Sequence, residues 1–273
     1  MRTAYWRPGT DYIMEIVRVV SGLAQEGDIV TVSEKAISTA SGLLLDESKV
    51  KPGWLARLLS VFWMRRIWGG PLGRLTKLRE KTITRLRGYP IREGAAHKHL
   101  AIRYVGLLQA LRHYSEGGID ASNLPYSLVS LPLKRPSREA EKIRNALVSS
   151  TGLSLSVMIV DGDTTYSWRN LHLAPRRVEI PGLIHMGGFL TFLIGRTLGF
   201  KARATPLAIS GEDLNPDLAL ELAEAAHRIR GHGAGRTVWD MSKRFGVGPS
   251  QVTWEMMDRA NHSPIVILRK TCK

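Results

Sequence analysis

The amino-acid sequence predicts an α/β protein in which a mixed sheet is flanked by helices. Short β-branched runs such as Leu155 to Val160 alternate with longer stretches, such as Asp11 to Ala24, whose apolar residues recur at helical spacing. This alternation is typical of sheets covered by helices. The chain has 273 residues, of which 44% are hydrophobic, and this is enough for one large core. We therefore expect a single domain over residues 1–273.

The first part of the chain predicts one strand and several helices. In chain order we expect a helix at Asp11–Ala24, a strand at Ile29–Val32, a connector at Leu43–Pro52, a helix at Trp54–Trp68, a basic helix at Leu72–Leu86 and an apolar segment of helix or strands at His99–Leu111. Glycines and a proline at 69–71 mark the end of the Trp54 helix.

The rest of the chain predicts four more strands. We expect a strand at Leu128–Leu133, a helix at Ser137–Ser149 with Ser137 as its N-cap, a buried strand at Leu155–Val160, a tightly packed glycine-rich segment at Ile180–Gly199, a strand at Ala202–Ile209, a helix at Leu218–Arg230 and a strand at Ile265–Leu268. Asn215-Pro216-Asp217 supplies the start signal of the Leu218 helix.

Two helical additions to this domain are expected, at about 46–98 and at about 235–262. In the second, two short helices surround Phe245-Gly246-Val247-Gly248, and the later one is expected to begin at Pro249-Ser250. This outline resembles a helix-turn-helix, whose second helix reads DNA in the major groove. Glu255 and Asp258 on that helix oppose such a role, because DNA phosphates repel them.

The positive charge of the chain is concentrated in one segment. The net charge is +15, and between Lys51 and His113 fourteen lysines and arginines face only two glutamates. A localised basic region points to a polyanionic partner. The candidates are a nucleotide with a phosphorylated co-substrate, a nucleic acid or an acidic membrane surface. A solvated basic face, as in thermophile proteins, is the alternative.

The predicted Trp54–Trp68 helix carries tryptophans and arginines together. Such a helix is most often a core or dimer-interface element, and in the alternative it lies in a membrane interface. We expect protein contacts here and no membrane partner.

The sequence gives no indication of export or of a membrane span. No apolar run reaches the roughly 18 residues of a transmembrane helix, and Met1 to Pro8 lack the apolar core of a secretory signal. The single Cys272 excludes an intramolecular disulfide. We expect a cytoplasmic protein, and the few asparagines and many arginines suggest an archaeal-like thermophile.

The segment from Gly117 to Asn123 places three polar side chains behind two glycines. Glycine admits positive φ angles and the close approach of a ligand. Asp120, Ser122 and Asn123 carry the groups that a hydrated divalent cation and a phosphate need nearby. An ordinary polar turn is the alternative.

A second acidic segment follows the predicted strand Leu155–Val160. Asp161 and Asp163 stand just past its carboxyl end, where open α/β sheets place their ligand chemistry. We expect Asp120 and Asp161, on separate loops, to share one Mg²⁺ or Mn²⁺ whose shell is completed by water and phosphate oxygens. Asx turns without a metal are the alternative.

Four stretches carry a family resemblance: Arg7–Asp11, Glu26–Gly42, Gly118–Asn123 and Leu153–Asp161, with a weaker one at Leu218–Gly233. In this order they resemble the coenzyme F420-0:L-glutamate ligases, which add γ-linked glutamate to a deazaflavin coenzyme precursor. Gly118-Ile119-Asp120-Ala121-Ser122-Asn123 matches the family's most specific motif without a change. The resemblance implies the family's mixed-sheet fold and an intertwined homodimer.

The resemblance also implies a reaction. Family members depend on GTP and a divalent metal; the γ-phosphate goes to a substrate carboxylate, and the glutamate amine attacks the resulting acyl phosphate. By resemblance, Asp120 and Asp161 hold the metal and Asn123 touches the nucleotide. Acidic metal ligands and basic phosphate contacts suit phosphoryl transfer, which is mostly positioning and charge neutralisation.

The chain departs from the family at several positions. Ser38-Thr39-Ala40-Ser41-Gly42 stands where the family has Ser-Lys-Ala-Glu-Gly, so Lys35 is the candidate to replace the lost lysine. In the second motif the family threonine has become Gly162 and an arginine is missing. Arg169 resembles a shifted member of a family aromatic–arginine pair. His232 stands at a family glutamine or glutamate, as a candidate Mn²⁺ or Zn²⁺ ligand or as a plain surface histidine.

The leading prediction is GTP- and metal-dependent formation of a γ-glutamyl-type amide bond between L-glutamate and a phosphorylated carboxylate such as coenzyme F420-0. The predicted metal ligands are Asp120, Asp161 and His232, the predicted nucleotide contacts are Lys35, Ser38, Ser122, Asn123 and Arg169, and no catalytic residue is assigned. The alternative is a catalytically altered relative that binds nucleotide or nucleic acid through the basic segment. The altered motifs leave open GTP against ATP, the acceptor and the amino acid joined.

Overall fold

The computed structural model describes residues 1–114 and 116–270, so that Cys272 lies outside the described residues. The predicted α/β class, a mixed sheet with flanking helices, is confirmed. The strands are β1 (Ile29–Ser33), β2 (Leu44–Asp46), β3 (Leu128–Ser130), β4 (Ser156–Trp168), β5 (Leu171–Ala174), β6 (Leu183–His185), β7 (Lys201–Ser210) and β8 (Ile265–Leu268). The helices are α1 (Tyr12–Val20), α2 (Glu34–Ala40), α3 (Trp54–Leu58), α4 (Pro71–Leu75), α5 (Glu80–Arg87), α6 (Ile91–Val105), α7 (Leu107–Ala110), α8 (Pro136–Thr151), α9 (Gly188–Thr197), α10 (Pro216–Arg230), α11 (Val238–Phe245) and α12 (Trp254–Asp258).

The long strand β4 organises the main sheet. It pairs in parallel with β1 and antiparallel with β5 and β7, while β8 joins β1 and β6 joins β5. Strands β2 and β3 form a separate pair. Because β1 and β4 are parallel, with Ser33 opposite Val160, the residues that follow these two positions lie side by side. This register brings Glu34 and Lys35 to the same edge as Asp161.

Helices cover both faces of the main sheet. Val157 and Ile159 pack in a core with residues of α1, α2 and α8. Met158 and Val160 point to the opposite face, where they pack against α10. Successive side chains of a strand alternate between faces, so a strand buried on both sides is a continuous apolar run.

Two predicted boundaries are wrong for local reasons. Strand β4 does not end before Asp161 but continues to Trp168, with a bulge between Asp161 and Thr164. A bulge re-aims side chains without ending the strand. Helix α8 begins at Pro136, whose missing N–H costs nothing in a first helical turn, so Ser137 is not its N-cap.

Residues 54–110 form a helical region. The predicted Trp54–Trp68 helix is confirmed as α3 and a π-helical continuation over Leu59–Trp68. The predicted basic helix Leu72–Leu86 is wrong, because α4 and α5 are separated by a turn in which Lys77 has φ 53°. The segment left open at His99–Leu111 is helical.

The glycine-rich segment Ile180–Gly199 is tightly packed, as predicted. A Cβ atom added at Gly195, on α9, would lie 2.1 Å from the ring of Tyr166. Only glycine lets α9 approach β4 this closely.

The segment 237–260 contains two short helices, but the second begins at Trp254 and not at Pro249, where a 3₁₀ turn stands instead. One side of α12 is covered by the N-terminal segment. The ring of Tyr5 lies 6.0 Å from Trp254, and Arg7 forms an ion pair with Asp258.

Across the described residues, no helix combines the length and hydrophobicity that crossing a membrane requires.

Candidate active site

Two cavities meet where the carboxyl end of β1 faces the bulge of β4. The large cavity has a volume of about 800 Å³ and the small cavity about 280 Å³. Five residues line both cavities, and we call them the junction: Asp120, Ser122, Asp161, Asp163 and Arg236. The two predicted metal aspartates therefore face the same space.

Asp120 is held by a turn and by a lysine from another part of the chain. Its Oδ1 atom accepts a hydrogen bond of 2.7 Å from the Ser122 backbone N–H, which is an Asx turn. The ammonium group of Lys35 forms an ion pair with Asp120 and donates to Ser122 Oγ at 2.8 Å. Lys35 is the second residue of α2, which directly follows β1, so the sheet edge positions it.

Asp161 is held by an arginine. Arg176 Nη1 lies 3.1 Å from Asp161 Oδ2, and both terminal nitrogens of Arg176 contact Glu34 at 2.6 and 2.7 Å. Glu34 and Arg176 are buried. Burial raises the pKa of the Glu34 carboxyl, and the two-point contact with Arg176 opposes that rise. Burial alone would lower the pKa of Arg176, but Glu34 and Asp161 raise it, so the guanidinium stays charged.

Gly118 explains how the Asp120 loop reaches Asp161. It has φ +92°, and an added Cβ atom would lie 2.1 Å from Nη1 of Arg176. A side chain at this position would push the guanidinium away. The glycine thus lets the Asp120 loop rest on the arginine that binds Asp161.

The small cavity is rich in cationic groups. Lys35, Arg230 and Arg236 line it, together with His227 and His232. Arg230 Nη2 lies 3.1 Å from Nδ1 of His227. Among the residues that the structure describes, neither Arg230 nor Arg236 forms an ion pair.

The two histidines that line the small cavity, His227 and His232, have pKa values that reflect its positive charge. Burial and then Arg230 lower the pKa of His227 to about 4. Burial and then Arg236 lower the pKa of His232 below its ordinary value. Both imidazoles are neutral near pH 7, because burial and, after it, the neighbouring cations disfavour a positive charge. Such a potential suits an anionic ligand.

Asn123 lines the small cavity, but its amide holds a neighbouring loop. Asn123 Oδ1 accepts from the backbone N–H of Ala234 at 2.6 Å, and Nδ2 donates to the Gly235 carbonyl at 3.0 Å. These bonds fix the loop that carries His232 and Arg236. Contact with a nucleotide stays a prediction for Asn123.

The predicted nucleotide contacts fall into two groups. Lys35 and Ser122 line the small cavity with Asn123. Ser38 is buried within α2 and lines neither cavity. Arg169 stands in the turn after β4 with its guanidinium 5.1 Å from the Trp168 ring centre, and it also lines neither cavity.

The carboxylates at the junction fit a metal site that a ligand completes. No group of three His, Cys, Asp or Glu side chains with metal-binding geometry occurs in residues 1–114 and 116–270. An all-protein cage therefore does not fit, and coordination by His232 stays a prediction. Asp120 and Asp161 do fit Mg²⁺ or Mn²⁺, because Mg²⁺ is typically bound by one or two carboxylates with water and substrate phosphates.

Aromatic side chains line the large cavity. Tyr89, Tyr114, Tyr126 and Trp239 contribute to its wall. The rings of Tyr114 and Trp239 are 5.7 Å apart in an edge-to-face arrangement. Apolar, aromatic walls with a few polar groups are typical of sites for organic ligands.

A buried charge cluster also stands in the wall of the large cavity. His97 Nδ1 lies 2.6 Å from Glu47 Oε1 and its Nε2 3.4 Å from Glu116 Oε2, while Lys98 Nζ lies 2.6 Å from Glu116 Oε1. Burial alone would lower the pKa of His97, but the two carboxylates raise it to about 10. Burial likewise opposes ionisation of Glu116, yet Lys98 and His97 lower its pKa. His97 and Glu116 are therefore charged near pH 7.

Sequence reasoning missed Glu34, Arg176, Arg230 and Arg236. Glu34 follows β1 at the edge where Asp161 stands, so the strand-end rule that selected Asp161 also selects Glu34. The three arginines carry no motif of their own. They lie 55 or more residues beyond Asp120 in the chain, and only the fold brings them to the site.

Comparison with known proteins identifies the family of the chain. The model of the F420-0:gamma-glutamyl ligase family matches residues 1–175. A protein of Methanocaldococcus jannaschii, named uncharacterized protein MJ1361, is 33% identical over 279 residues, covering 98% of this chain and 94% of that protein. The chain belongs to the F420-0:gamma-glutamyl ligase family, as the Gly118–Asn123 motif predicted.

Proposed function

We propose that the protein is a GTP-dependent ligase that uses Mg²⁺ or Mn²⁺ to join L-glutamate to a phosphorylated carboxylate substrate such as coenzyme F420-0. Family membership supports a γ-glutamyl ligase in coenzyme F420 biosynthesis. The observation that carries the finer proposal is the junction. Asp120 and Asp161, from distant segments, face both a cationic cavity and an aromatic cavity.

The proposed reaction has two steps. A carboxylate oxygen of the acceptor attacks the γ-phosphorus of GTP, which forms an acyl phosphate and releases GDP. The glutamate amine then attacks the acyl carbon, the C–O bond to phosphate breaks, and the amine loses a proton as the amide forms. Inorganic phosphate leaves, so one nucleotide is consumed for each amide bond.

The small cavity is the proposed nucleotide site. Lys35, Arg230 and Arg236 line it and supply positive charge toward a triphosphate. Two of these cations, Arg230 and Arg236, have no carboxylate partner among the described residues, so a ligand phosphate would meet charge that is not already neutralised. Ser122 Oγ, held by Lys35, offers a hydroxyl at the junction.

The junction is the proposed place of phosphoryl transfer. A divalent cation bound there would neutralise phosphate charge and align the reacting oxygens. Asp120 and Asp161 would hold it. Arg176 fixes the orientation of the Asp161 carboxylate, and Lys35 does the same for Asp120. Both aspartates thus reach the reaction already oriented, which lowers the cost of organising the site.

The large cavity is the proposed acceptor site. Its aromatic wall offers flat surfaces to a ring system, through Trp239 and Tyr114. A substrate bound there would place its carboxylate at the junction and its ring against this wall. The cavity volume of about 800 Å³ is within the range of sites for ligands of this size.

The test is a direct assay. The protein is incubated with GTP, Mn²⁺, coenzyme F420-0 and L-glutamate, and mass spectrometry looks for a product heavier by one glutamyl unit. Asp120→Asn and Asp161→Asn are expected to reduce the rate by a factor on the order of 10³. The matched control is Asp213→Asn, an exposed aspartate away from both cavities, which should keep wild-type activity.

Two results would overturn the proposal. The first is wild-type protein that forms no product and releases no phosphate with GTP or ATP. The second is full activity in both junction variants. If product is absent but polynucleotide binding falls steeply with salt, the alternative of a nucleic-acid-binding relative gains. Homodimer formation and a cytoplasmic location stay predictions of the sequence.

A further inference from the structure

The outer face of the Trp54 helix is apolar where an ordinary surface helix is polar. Four side chains on α3 and its π-helical continuation are exposed: Trp54 by 76%, Leu58 by 48%, Val61 by 44% and Phe62 by 51%. We call these four residues the apolar row. Spacings of three and four residues place them on one side of the helix. An exposed patch of this kind marks an interaction surface.

The apolar row is not part of the protein core, because the opposite side of the same helix already fills the core. Ala56, Leu59, Met64 and Trp68 are buried there. The indole N–H of Trp68 donates to the Leu111 carbonyl at 2.7 Å, which fixes this orientation. The helix is therefore apolar on two sides, and the described chain covers one of them.

Along the chain, the charged residues on either side of the apolar row have one sign. Arg57 and Arg66 are exposed on the same helix. From Ser48 to Arg79 the sequence contains eight lysines and arginines and no acidic residue. This segment thus combines exposed apolar side chains with basic residues that flank them in the sequence.

Exposed apolar side chains together with basic residues distinguish between three possible partners: a second copy of the chain, a nucleic acid and an anionic lipid surface. A two-fold contact with a second copy would bring two basic surfaces together, and like charges repel. A nucleic acid would satisfy Arg57 and Arg66 but would leave the apolar side chains in a polar environment. An anionic lipid surface satisfies both, because aromatic and aliphatic side chains enter the acyl boundary while arginines meet the headgroup phosphates.

We propose that the apolar row, with Arg57 and Arg66, docks the protein onto an anionic lipid bilayer surface. The helix lies in the plane of the interface and does not cross it. The sequence alone favoured protein contacts for this helix; the exposure of the row changes that balance. Pro52, two residues before Trp54, lines the large cavity, as does Arg92 on α6, so the chain that leads into the docked helix forms part of the wall of that cavity.

Vesicle flotation tests the proposal. The full chain is mixed with vesicles of phosphatidylcholine and phosphatidylglycerol, or of phosphatidylcholine alone, and the bound fraction is measured at two salt concentrations. We expect binding to the anionic vesicles that weakens with salt. Trp54→Ser with Phe62→Ser should weaken binding on the order of tenfold or more. Arg57→Gln with Arg66→Gln should weaken it about fivefold for each arginine.

Matched controls remove similar groups elsewhere. Leu198→Ser with Ile229→Ser removes two apolar side chains exposed to a similar degree, and Lys134→Gln with Lys243→Gln removes two exposed charges. Both controls should bind vesicles like the wild type. Circular dichroism and thermal melting check that all variants fold, since every substituted residue is exposed.

Four results would overturn the proposal. One is wild-type protein that binds no anionic vesicles, and another is unchanged binding by the Trp54 and Phe62 variant. The third is an oligomer of the wild type, seen by light scattering, that is lost in the Trp54 and Phe62 variant, together with no binding of the wild type to vesicles. The apolar row would then be an interface between copies of the chain. Polynucleotide binding lost with Arg57 and Arg66, without vesicle binding, would assign the surface to nucleic acid.

Discussion

The junction and the wall of the large cavity both contain carboxylates in ion pairs, but different cations hold them. Asp161 of the junction shares Arg176 with the buried Glu34. In the large-cavity wall, Glu47 and Glu116 share His97, and Lys98 adds a second contact to Glu116. An arginine keeps its charge at any accessible pH, whereas a histidine does not.

Because of this difference, the geometry around Asp161 should not depend on pH, whereas the geometry of the large-cavity wall should. Asp161, one of the two carboxylates proposed to hold a metal, depends on a guanidinium, so its position should not change with pH in the physiological range. The aromatic cavity depends on an imidazolium whose pKa is raised to about 10 by its two carboxylate neighbours. Changes that remove one cation or one carboxylate test whether the two regions are independent.

The largest effect is expected from Glu34→Gln. Arg176 would keep only its contact with Asp161, and a buried guanidinium would lose most of its compensation. We expect a loss of unfolding free energy of about 3–5 kcal/mol. Urea unfolding measures it, with the exposed Glu141→Gln as a control within about 0.5 kcal/mol of wild type. A Glu34→Gln protein as stable as the control would mean that the arginine cluster does not hold the junction.

The next effect concerns the pH dependence that His97 confers. Its pKa is about 10 in the folded protein against 6.5 ordinarily, so folding takes up protons. The stabilisation is complete below pH 6.5 and is lost as the pH rises from 6.5 to 10, by up to about 1.4 kcal/mol for each pH unit. His97→Asn removes this contribution.

Unfolding free energies of wild type and His97→Asn, measured across that pH range, check this prediction. The difference between the two proteins should be largest at the acidic end and should shrink toward pH 10. Lys98 is present in both proteins, so its contribution largely cancels in the difference. A difference that stays constant with pH would show that His97 is not charged in the folded protein.

The fold could be predicted largely from local patterns. The run Leu155–Val160 alternates between two cores, and the start of α10 at Asn215-Pro216 follows capping rules. What the sequence could not supply was the continuation of β4 past Asp161. The bulge there depends on pairing with β7, about 40 residues away.

The candidate site was predictable only where a motif or a strand end marked it. Asp120 and Asp161 satisfied those conditions, and both face the junction. Arg176 and Arg230 contribute through tertiary packing alone, so their spacing in the sequence carries no signal. Arg169 shows the reverse case, because its match to a family pair did not bring it to either cavity.

A smaller effect is expected from Arg230→Gln, which tests by kinetics whether the two cavities bind different substrates. Arg230 lines the small cavity and forms no ion pair within the described residues, so its loss removes charge from the proposed nucleotide site. We expect the KM for GTP to rise by roughly 10- to 100-fold, with the KM for the acceptor unchanged. Arg228→Gln, on the same helix but exposed and paired with Glu224, is the matched control. Equal changes in both KM values would contradict separate sites.

The smallest effect is expected from Trp239→Leu, which tests the large cavity as the acceptor site. The indole is part of the aromatic wall and packs against Tyr114, so leucine removes a flat surface while keeping an apolar side chain. An aromatic contact contributes about 0.5–1.5 kcal/mol beyond its buried area, which corresponds to a rise in the acceptor KM of roughly two- to tenfold. The KM for GTP should not change.

Trp168→Leu is the control for this variant, because Trp168 is exposed and lines neither cavity. If Trp239→Leu raised the KM for GTP and left that of the acceptor unchanged, the assignment of the two cavities would be reversed. If it altered neither, the acceptor ring would not rest on this wall. Because the arginine and tryptophan variants change opposite KM values, the pair distinguishes two sites from one shared site even if each effect is modest.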